Sequence, residues 1–596
     1  MKKAILIILA AAMVLCLLPA GASAENGSTY YVDADCGDDG ANGLSPETAW
    51  KTLSAHSDFA FAPGDNILLK AGGIYQGRFQ PVSSGTASEP ITVSSYGEGA
   101  RPLLITSDLG PAVLLRDVSG WSISGLEFTS PHGAGIMIYA TPGEDYGFDF
   151  LYGPGLIVPT AENPTAPEEI VTDDELTAFL KGVRAKLEDA VKMAAGVIGC
   201  RAPKTPPESR NIISDFSITD CVFHDIAFRD TNVHGMCTPI YICSYGSGSR
   251  VDNVYISGIN IYNCAYGIKT VGTTTTQSAD FISMPESYNN NIIVENTAID
   301  TLNYDAIILG SVENGLVRNC SVLNTCLYDE GFTAPVWLRN CDRVTVECCE
   351  IAGSKNLYDG MTVDFDYHVQ NSTYQYIYSH DNSSFMKSNN FDTYTANRNN
   401  TVRYCLSVND NKTLNVASIS NIKEEEYEMA IAMENFKFYN NTVINCAPTL
   451  FGVLKNSTIA NNIFVGSDDV LSVSVPLGFC NTITNNCFYN MCPMPHSTND
   501  SVCDPGFVGT DESDKNSFVL SQSSPLIGKG IQVEQDMGER DFYGNTLTGS
   551  HNIGCYEGPG AAADPVETER AGRSYVVTVF RFIQVVIPML QKMLGL

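Results

Sequence analysis

Short segments of alternating apolar and polar residues recur along the middle of the chain, each opened by Asn or Asp. They begin at Asn211, Asn253, Asn291, Asn314, Asp342, Asn371, Asn400, Asn435, Asn456 and Asn481. A period of two residues predicts β-strands rather than helices. Strands this short, separated by Asn- and Gly-rich turns at intervals of 21 to 42 residues, are typical of a parallel solenoid whose coils stack on one another. Asn suits the turns because it tolerates the left-handed conformation and its amide can hydrogen-bond the next coil.

Two regions depart from the alternating pattern. Within about 141–210, a helix start at Thr172 is followed by an apolar face from Leu176 to Leu187, which predicts a helical insertion between coils. After a linker at 558–574, residues 575–596 are apolar but interrupted by polar side chains. We expect an amphipathic C-terminal helix there, which docks on protein or lies at a membrane interface.

The first 24 residues have the three parts of a secretory signal peptide. Lys2 and Lys3 precede an apolar run, and Ala22-Ser23-Ala24 closes it with small residues. We therefore expect residues 1–24 to be removed, and a secreted or cell-surface-associated protein with its repeat domain at 25–557.

Charge and cysteine content narrow the functional classes. A formal net charge of −32 over 596 residues disfavours nucleic acid as a partner. Eighteen of the 19 cysteines follow the signal peptide, and several recur in phase as Asn-Cys, as at Asn263-Cys264 and Asn319-Cys320. Export is compatible with disulfides, but recurrence in phase favours stacked, buried and mostly reduced thiols. No Cys and His spacing suggests a zinc site.

Segments at both ends of the repeat resemble a known superfamily. Near the start they are Tyr30-Tyr-Val-Asp-Ala-Asp and Pro63-Gly-Asp-Asn-Ile-Leu-Leu, and near the end Asp504-Pro-Gly-Phe and Asn552-Ile-Gly-Cys-Tyr-Glu. They resemble the right-handed parallel β-helix proteins of the pectate-lyase-like superfamily over about residues 28 to 557. The resemblance implies an all-β, single-stranded, right-handed parallel β-helix and extracellular glycan chemistry, without fixing the reaction.

The densest group of candidate catalytic residues lies at 358–368. Alternation predicts Met361, Val363 and Phe365 in the core, with Asp364 and Asp366 facing outward together. Their Cα atoms would lie about 6.5 to 7 Å apart. Paired carboxylates can serve as acid and as base or nucleophile in glycoside hydrolysis, and close like charges raise one pKa. The alternative is that these aspartates are ordinary solvated surface of an acidic protein.

The segments Gly360-Met-Thr-Val-Asp-Phe-Asp-Tyr and Tyr378-Ser-His-Asp-Asn look like the catalytic coils of β-helix glycoside hydrolases, including β-xylosidases and α-fucosidases. The resemblance implies that Asp364 and Asp366 are catalytic, with His380 and Asp381 flanking the subsite. Ser383-Ser384 departs from the pattern, since relatives often carry Glu there.

Further residues are expected to bind substrate around this pair. Aligning Glu330-Gly331 with Asp359-Gly360 puts Trp337 of the preceding coil beside Asp366, where an exposed indole could stack on a sugar. Arg339 could instead form a salt bridge. The candidate substrate-binding residues are Trp337, Arg339, Asp359, Tyr358, Lys387 and Asp305.

Three functions remain open from the sequence. The first is a glycoside hydrolase that needs no cofactor or metal, acting as a monomer on a polysaccharide or oligosaccharide. The second is a polysaccharide lyase, with Ca²⁺ against a uronate and Lys269 or Lys387 as base. The third is a non-catalytic glycan-binding adhesin. Hydrolysis is favoured because the clustered residues are acids.

Overall fold

The computed structural model describes most of the repeat region and the segment that follows it. The described residues are 27–106, 110–141, 211–228, 237–245, 248–272, 274–276, 283–285, 287–328, 333–356, 359–390, 397–410, 415–419, 433–446, 454–467, 478–494 and 496–562. The predicted signal peptide and C-terminal helix, all but the first residue of the predicted insertion, and Tyr358 lie outside them.

The described chain is built almost entirely from short strands. The first twenty are β1 (Thr29–Val32), β2 (Asn66–Lys70), β3 (Ile74–Gln76), β4 (Ile91–Tyr96), β5 (Leu103–Ile105), β6 (Pro111–Arg116), β7 (Trp121–Ser124), β8 (Glu127–Thr129), β9 (Ala134–Ala140), β10 (Ile212–Thr219), β11 (Val222–His224), β12 (Ile240–Ser244), β13 (Arg250–Ser257), β14 (Asn260–Cys264), β15 (Ile268–Val271), β16 (Thr274–Thr276), β17 (Ser283–Pro285), β18 (Asn289–Glu295), β19 (Ala298–Leu302) and β20 (Ile307–Gly310).

The remaining strands continue the same pattern. They are β21 (Val312–Glu313), β22 (Leu316–Arg318), β23 (Ser321–Leu323), β24 (Val336–Arg339), β25 (Thr345–Glu347), β26 (Glu350–Ala352), β27 (Met361–Phe365), β28 (Thr373–Gln375), β29 (Tyr378–His380), β30 (Ser384–Asn390), β31 (Asn397–Arg398), β32 (Thr401–Arg403), β33 (Leu406–Val408), β34 (Asn415–Ile419), β35 (Met433–Glu434), β36 (Lys437–Tyr439), β37 (Thr442–Cys446), β38 (Leu454–Lys455), β39 (Thr458–Ala460), β40 (Ile463–Gly466), β41 (Gly478–Phe479), β42 (Thr482–Thr484) and β43 (Cys487–Tyr489).

Three long parallel sheets run the length of the repeat. The first sheet has 15 strands and includes β10, β13 and β18; the second has 13 and includes β11, β14 and β19; the third has nine and includes β12, β15 and β20. Successive coils thus contribute one strand to each sheet in turn, and each strand pairs in parallel with its equivalent in the next coil. This is the predicted parallel β-helix. Smaller additions are a four-stranded sheet (β31, β35, β38 and β41) and the antiparallel pair β16–β17.

Inward-facing side chains of all three sheets form one continuous apolar core. It is dominated by β-branched and aromatic residues such as Ile256, Val294 and Phe438, each fully buried. The helices of the described residues are three short 3₁₀ turns, Pro46–Thr48, Ser54–His56 and Lys515–Phe518. Within the described ranges, no helix is both long enough and apolar enough to cross a membrane.

The first sheet carries Asn residues identified in the sequence. Asn253 lies within β13 and Asn291 within β18, with φ of 56° and 57°, in the left-handed region that Asn tolerates. The side-chain amide of Asn291 donates to the Asn253 side-chain carbonyl at 2.9 Å, and Asn253 donates to Asp215 at 3.0 Å. Each coil is therefore tied to the next by a side-chain hydrogen bond, as the sequence predicts, although these Asn residues lie within strands and not in the predicted turns.

Most of the cysteines whose side chains the structure describes are buried. Cys264, Cys320 and Cys341, which follow Asn in phase, all pack in the main core. Burial raises the pKa of Cys341 to about 12, so the thiol stays neutral. These three cysteines are packed as small core residues, as their recurrence in phase predicts.

The segment after the last coil folds back along the outer side of the solenoid, across the strands β33, β37, β40 and β43 of the second sheet. Leu520, Leu526 and Ile553 pack against Val465 and Cys487 in a separate apolar cluster. We call residues 504–562 the C-terminal cap.

The cap is anchored by a buried carboxylate. Glu557 accepts hydrogen bonds from the Tyr404 hydroxyl and the Asn440 amide, each at 3.1 Å, and from the Asn552 backbone at 2.7 Å. Two of these partners belong to coils of the β-helix. The cap is therefore part of the same folded unit.

Candidate active site on the third sheet

One outward-facing position of the third sheet is occupied by a single row of side chains, one from each coil. Paired strands place them in the order Tyr241, Lys269, Ile308, Trp337, Asp364 and Lys387. Because the strands are parallel and in register, neighbouring members lie about 4.8 Å apart at the backbone. The sequence thus places a cluster of charged residues at one stretch of this face.

The register corrects the sequence alignment by two residues. Trp337 pairs with Asp364 rather than with Asp366. Gly360 donates its backbone N–H to the carbonyl of Thr333, so it does not align with Gly331. The turn into β24 is longer than the turn into β27, and sequence spacing alone does not reveal this.

The alternation predicted for β27 is also wrong at its start. Met361 packs with Ile308 and Trp337 outside the main core, while Thr362 lies 2.6 Å from the hydroxyl of interior Ser379. Val363 and Phe365 are in the core as predicted. The strand therefore turns two successive side chains inward before it presents Asp364 outward.

Four carboxyl groups meet on or beside this row. Asp305, Asp359 and Asp364 are 5%, 8% and 6% exposed, and Asp366 is partly exposed. Among the described residues, Oδ1 of Asp364 has no hydrogen-bond partner. These four residues form what we call the acid cluster. They are not the solvated surface aspartates of the alternative interpretation, because little of their side-chain surface reaches water.

Burial dominates the proton affinity of the acid cluster. It raises the pKa of Asp305 and of Asp366 to about 7. The pKa of Asp364 is raised well above its ordinary value, first by burial and then by the negative charges of Asp366 and Asp359. A buried carboxyl group among like charges holds its proton, since ionisation would place uncompensated charge in a poorly solvated site.

Two cationic side chains oppose the rise in pKa, one at Asp359 and one at Asp366. Nζ of Lys387 lies 2.5 Å from Oδ1 of Asp359, and this charge counteracts the rise that burial imposes on the pKa of Asp359. The guanidinium of Arg339, 5.2 Å from the centre of the Tyr367 ring, lowers the pKa of Asp366. Asp359 is therefore the member whose charge is best compensated.

Trp337 is not the exposed platform that the sequence suggested. It is only 5% exposed, and its Nε1–H donates to Oδ1 of Asp305 at 3.0 Å. The backbone N–H of Ala334 donates to the same oxygen at 2.8 Å. The indole is therefore a buried donor that helps to hold Asp305 in place.

His380 and Asp381 do not join the acid cluster in the described structure. His380 ends β29 in the second sheet, with Nε2 3.2 Å from Glu350 and Nδ1 2.9 Å from Asp381.

An equivalent arrangement recurs elsewhere in the second sheet. There, His224 lies 2.9 Å from Glu127 and 2.8 Å from Asp225, and both aspartates have positive φ. The His-Asp pair is therefore a repeated turn of this sheet, and its predicted catalytic role loses its geometric basis.

Sequence reasoning missed the residues at the entrance to the third sheet. Asn356 is fully buried and receives the Asp359 backbone N–H at 3.1 Å, while its amide donates to Thr333 at 2.9 Å. Tyr266, Tyr304 and Tyr328 stack in a row across three coils. The signal for the row is a recurring Tyr-Gly or Tyr-Asp dipeptide before successive third-sheet strands.

The acid cluster can supply both protonated and ionised carboxyl groups at neutral pH, as glycosidic bond cleavage requires. Across the described part of the chain, no group of three or more His, Cys, Asp or Glu side chains is arranged to hold a metal ion.

Comparison with known proteins gives partial matches. No protein-family profile matches the chain. An alignment of 134 residues is 29% identical to lacto-N-biosidase of Bifidobacterium longum subsp. longum, and it covers 18% of this chain and 8% of that enzyme.

Solved structures were compared as well. A GH136 lacto-N-biosidase from Eubacterium ramulus has a TM-score of 0.47 at 16% identity, covering 80% of this chain and 68% of that one. XylC in complex with xylose has a TM-score of 0.39 at 12% identity, covering 88% and 98%. Pectate lyase Pel9A has a TM-score of 0.33 at 14% identity, covering 89% and 96%.

Proposed function

We propose that the chain is a secreted, carbohydrate-active enzyme that hydrolyses glycosidic bonds at the acid cluster. The observation that carries the proposal is the enclosure of Asp305, Asp359, Asp364 and Asp366 at one place on the outer face of the third sheet. Burying several acids together lowers stability, so such a group is a candidate functional site. The short segment similar to lacto-N-biosidase supports the glycan class of substrate.

The geometry favours Asp366 as proton donor and Asp359 as the ionised partner. Asp366 is partly exposed and its pKa is raised to about 7, which leaves it protonated in much of the enzyme at neutral pH. Asp359 is paired with Lys387, which stabilises the charge that a base or nucleophile needs. Asp364, the other half of the pair predicted from the sequence, is buried beside these charges and keeps its proton.

A glycan panel tests the reaction class. The panel contains lacto-N-tetraose, xylotetraose and tetragalacturonate, each incubated with purified protein with and without a metal chelator. We expect new reducing ends without the absorbance of an unsaturated uronate, and no loss of rate in chelator. An unsaturated product whose formation stops in chelator would contradict hydrolysis and indicate the lyase reaction. Binding without turnover would favour the adhesin.

Three matched variants test the roles on whichever substrate is cleaved. Asp366→Asn and Asp359→Asn should each reduce kcat by about 100-fold to 10,000-fold, the contribution typical of a positioned acid or base. Asp364→Asn is the control, since it makes the same change at a residue that lies between Asp359 and Asp366 in the sequence, and it should retain more than a tenth of the parent rate. If Asp364→Asn abolishes turnover and Asp359→Asn does not, the pair predicted from the sequence is the catalytic one.

The pH profile separates the two roles within the pair. Because Asp366 donates a proton, kcat/KM should fall as pH rises through about 7. A fall on the acid side of 7 with no alkaline limb would make Asp366 the ionised partner instead.

A further inference from the structure

The entrance to the third sheet carries the same dipeptide in successive coils. Tyr266-Gly267, Tyr304-Asp305 and Tyr328-Asp329 each precede a strand of this sheet, and Tyr358-Asp359 continues the series. The third sheet is parallel, so equivalent positions of neighbouring coils lie about 4.8 Å apart. Aromatic rings repeated at that spacing are expected to stack.

The rings do stack in the described coils. The ring centres of Tyr266 and Tyr304 are 4.7 Å apart with planes 17° from parallel, and those of Tyr304 and Tyr328 are 5.7 Å apart at 30°. We call these three residues the tyrosine row. Nζ of Lys269 lies 5.5 Å from the centre of the Tyr266 ring.

Exposure increases along the row toward the acid cluster. Tyr266 and Tyr304 are half-buried, whereas Tyr328 is 49% exposed and its neighbour Leu327 is 36% exposed. Large apolar side chains exposed side by side on a soluble protein often mark a binding surface. Tyr328 has the further advantage that its ring is held from behind, so little conformational freedom is lost on binding.

One buried side chain connects this exposed ring to the acid cluster. The amide of Asn356 reaches the carbonyl of Tyr328 at 3.5 Å, and its carbonyl oxygen accepts the backbone N–H of Asp359 at 3.1 Å. Asn356 is fully buried. The buried amide of Asn356 thus bridges the backbones of Tyr328 and Asp359.

We propose that Tyr328, supported by Tyr304, is a binding platform for a sugar ring of an oligosaccharide whose scissile bond lies at the acid cluster. The binding of a sugar ring by Tyr328 rests on the tyrosine row alone. The position of the scissile bond at the acid cluster rests on the proposed hydrolytic function. An apolar ring face with a polar edge matches the alternating apolar and hydroxyl-bearing surfaces of a sugar.

Kinetics with substrates of two lengths test the platform. Tyr328→Ala and Tyr328→Phe are compared on the tetrasaccharide that the parent cleaves and on the shortest oligosaccharide of the same series that it turns over. Tyr328→Ala should raise KM for the tetrasaccharide about fivefold to tenfold, as expected for loss of one aromatic contact. We expect KM for the short substrate to change less than twofold, and kcat to stay within twofold for both. Tyr328→Phe should behave as the parent.

Tyr262→Ala is the matched control, because Tyr262 is 40% exposed and stacks on His224 in the second sheet. It should leave both KM values unchanged. An equal rise in KM for both substrate lengths, an unchanged KM in Tyr328→Ala, or a fall in kcat as large as the rise in KM would overturn the platform.

Calorimetric titration separates this inference from the proposed reaction. If the parent cleaves nothing in the panel but binds one of the three tetrasaccharides, and Tyr328→Ala weakens that binding at least fivefold, the platform stands and hydrolysis fails. If the parent binds none of lacto-N-tetraose, xylotetraose and tetragalacturonate, the platform is overturned as well.

Discussion

Asp305 contacts the indole of Trp337 and has 5% of its surface exposed. Its pKa shows how burial changes the proton affinity of a single carboxyl group. Burial raises its pKa from 3.8 to about 7, against the smaller opposing effects of the hydrogen bonds from Ala334 and Trp337 and the charge of Lys269. The folded protein therefore binds this proton more tightly than the unfolded chain does. The stability that the proton contributes is complete below pH 4 and is lost as pH rises through 7.

Asp305→Asn should remove this pH dependence. Asparagine keeps the oxygen that accepts from Trp337 and Ala334 but cannot ionise. Relative to the variant, the parent should lose on the order of 4 kcal/mol of unfolding free energy between pH 4 and pH 8. Urea unfolding of both proteins at four pH values measures the difference. A constant difference across that range would show that Asp305 is not the buried acid described here.

At the scale of strands and turns, the sequence predicts the solenoid well and the site only in part. Alternation and in-phase Asn residues identify the coils, because every coil repeats the same packing problem. The outward position of Asp364 is also predictable. The position of Trp337 is not, because the turn before β24 is longer than the one before β27, and the inward Thr362 breaks alternation by satisfying interior Ser379. Turn length and the direction of a side chain such as Thr362 depend on contacts with neighbouring coils, and the sequence of one segment does not contain this information.

A buried ladder of Asn side chains is expected to set the stability of the later coils. Asn462 is fully buried; it accepts the Asn441 backbone N–H at 3.0 Å and donates to the carbonyl of Phe438 at 2.9 Å and to Asn486 at 3.0 Å. Asn462→Ala leaves these partners unsatisfied, so we expect a loss of about 3 kcal/mol or more, at ~1 to 3 kcal/mol per orphaned group. The urea midpoint reports it.

Asn291→Gly provides the comparison for the ladder variant. Asn291 is a partly exposed residue of β18 with φ of 57°, a conformation that glycine adopts without strain. Its midpoint should stay close to that of the parent. If both variants shift equally, burial of the ladder is not what makes Asn462 important.

At the scale of the whole molecule, the later coils form one column with an apolar outer side that the C-terminal cap covers. The C-terminal cap packs its own apolar cluster on β40 and β43 and inserts Glu557 among Tyr404 and Asn440. Exposed apolar patches promote association between proteins. The cap therefore keeps this apolar side of the column from solvent.

Deletion of residues 504–562 should expose this apolar side of the second sheet. We expect the truncated protein to self-associate or precipitate at concentrations where the parent is a single species, as measured by light scattering after size-exclusion chromatography. Glu557→Gln is the milder variant, which keeps the apolar cover and should remain dispersed. A monodisperse truncated protein would mean that this apolar side needs no cover.

The row of outward side chains on the third sheet also has a consequence for diversification. Each side chain of the row comes from a different coil, as the strand pairing of Lys269, Ile308, Trp337, Asp364 and Lys387 shows. A substitution at one of these positions therefore changes one side chain of the row and leaves the spacing of the others intact. Duplication or loss of an entire coil would lengthen or shorten the groove by about 4.8 Å without disturbing local pairing. The length of substrate that the groove accommodates can therefore change during evolution in steps of one coil.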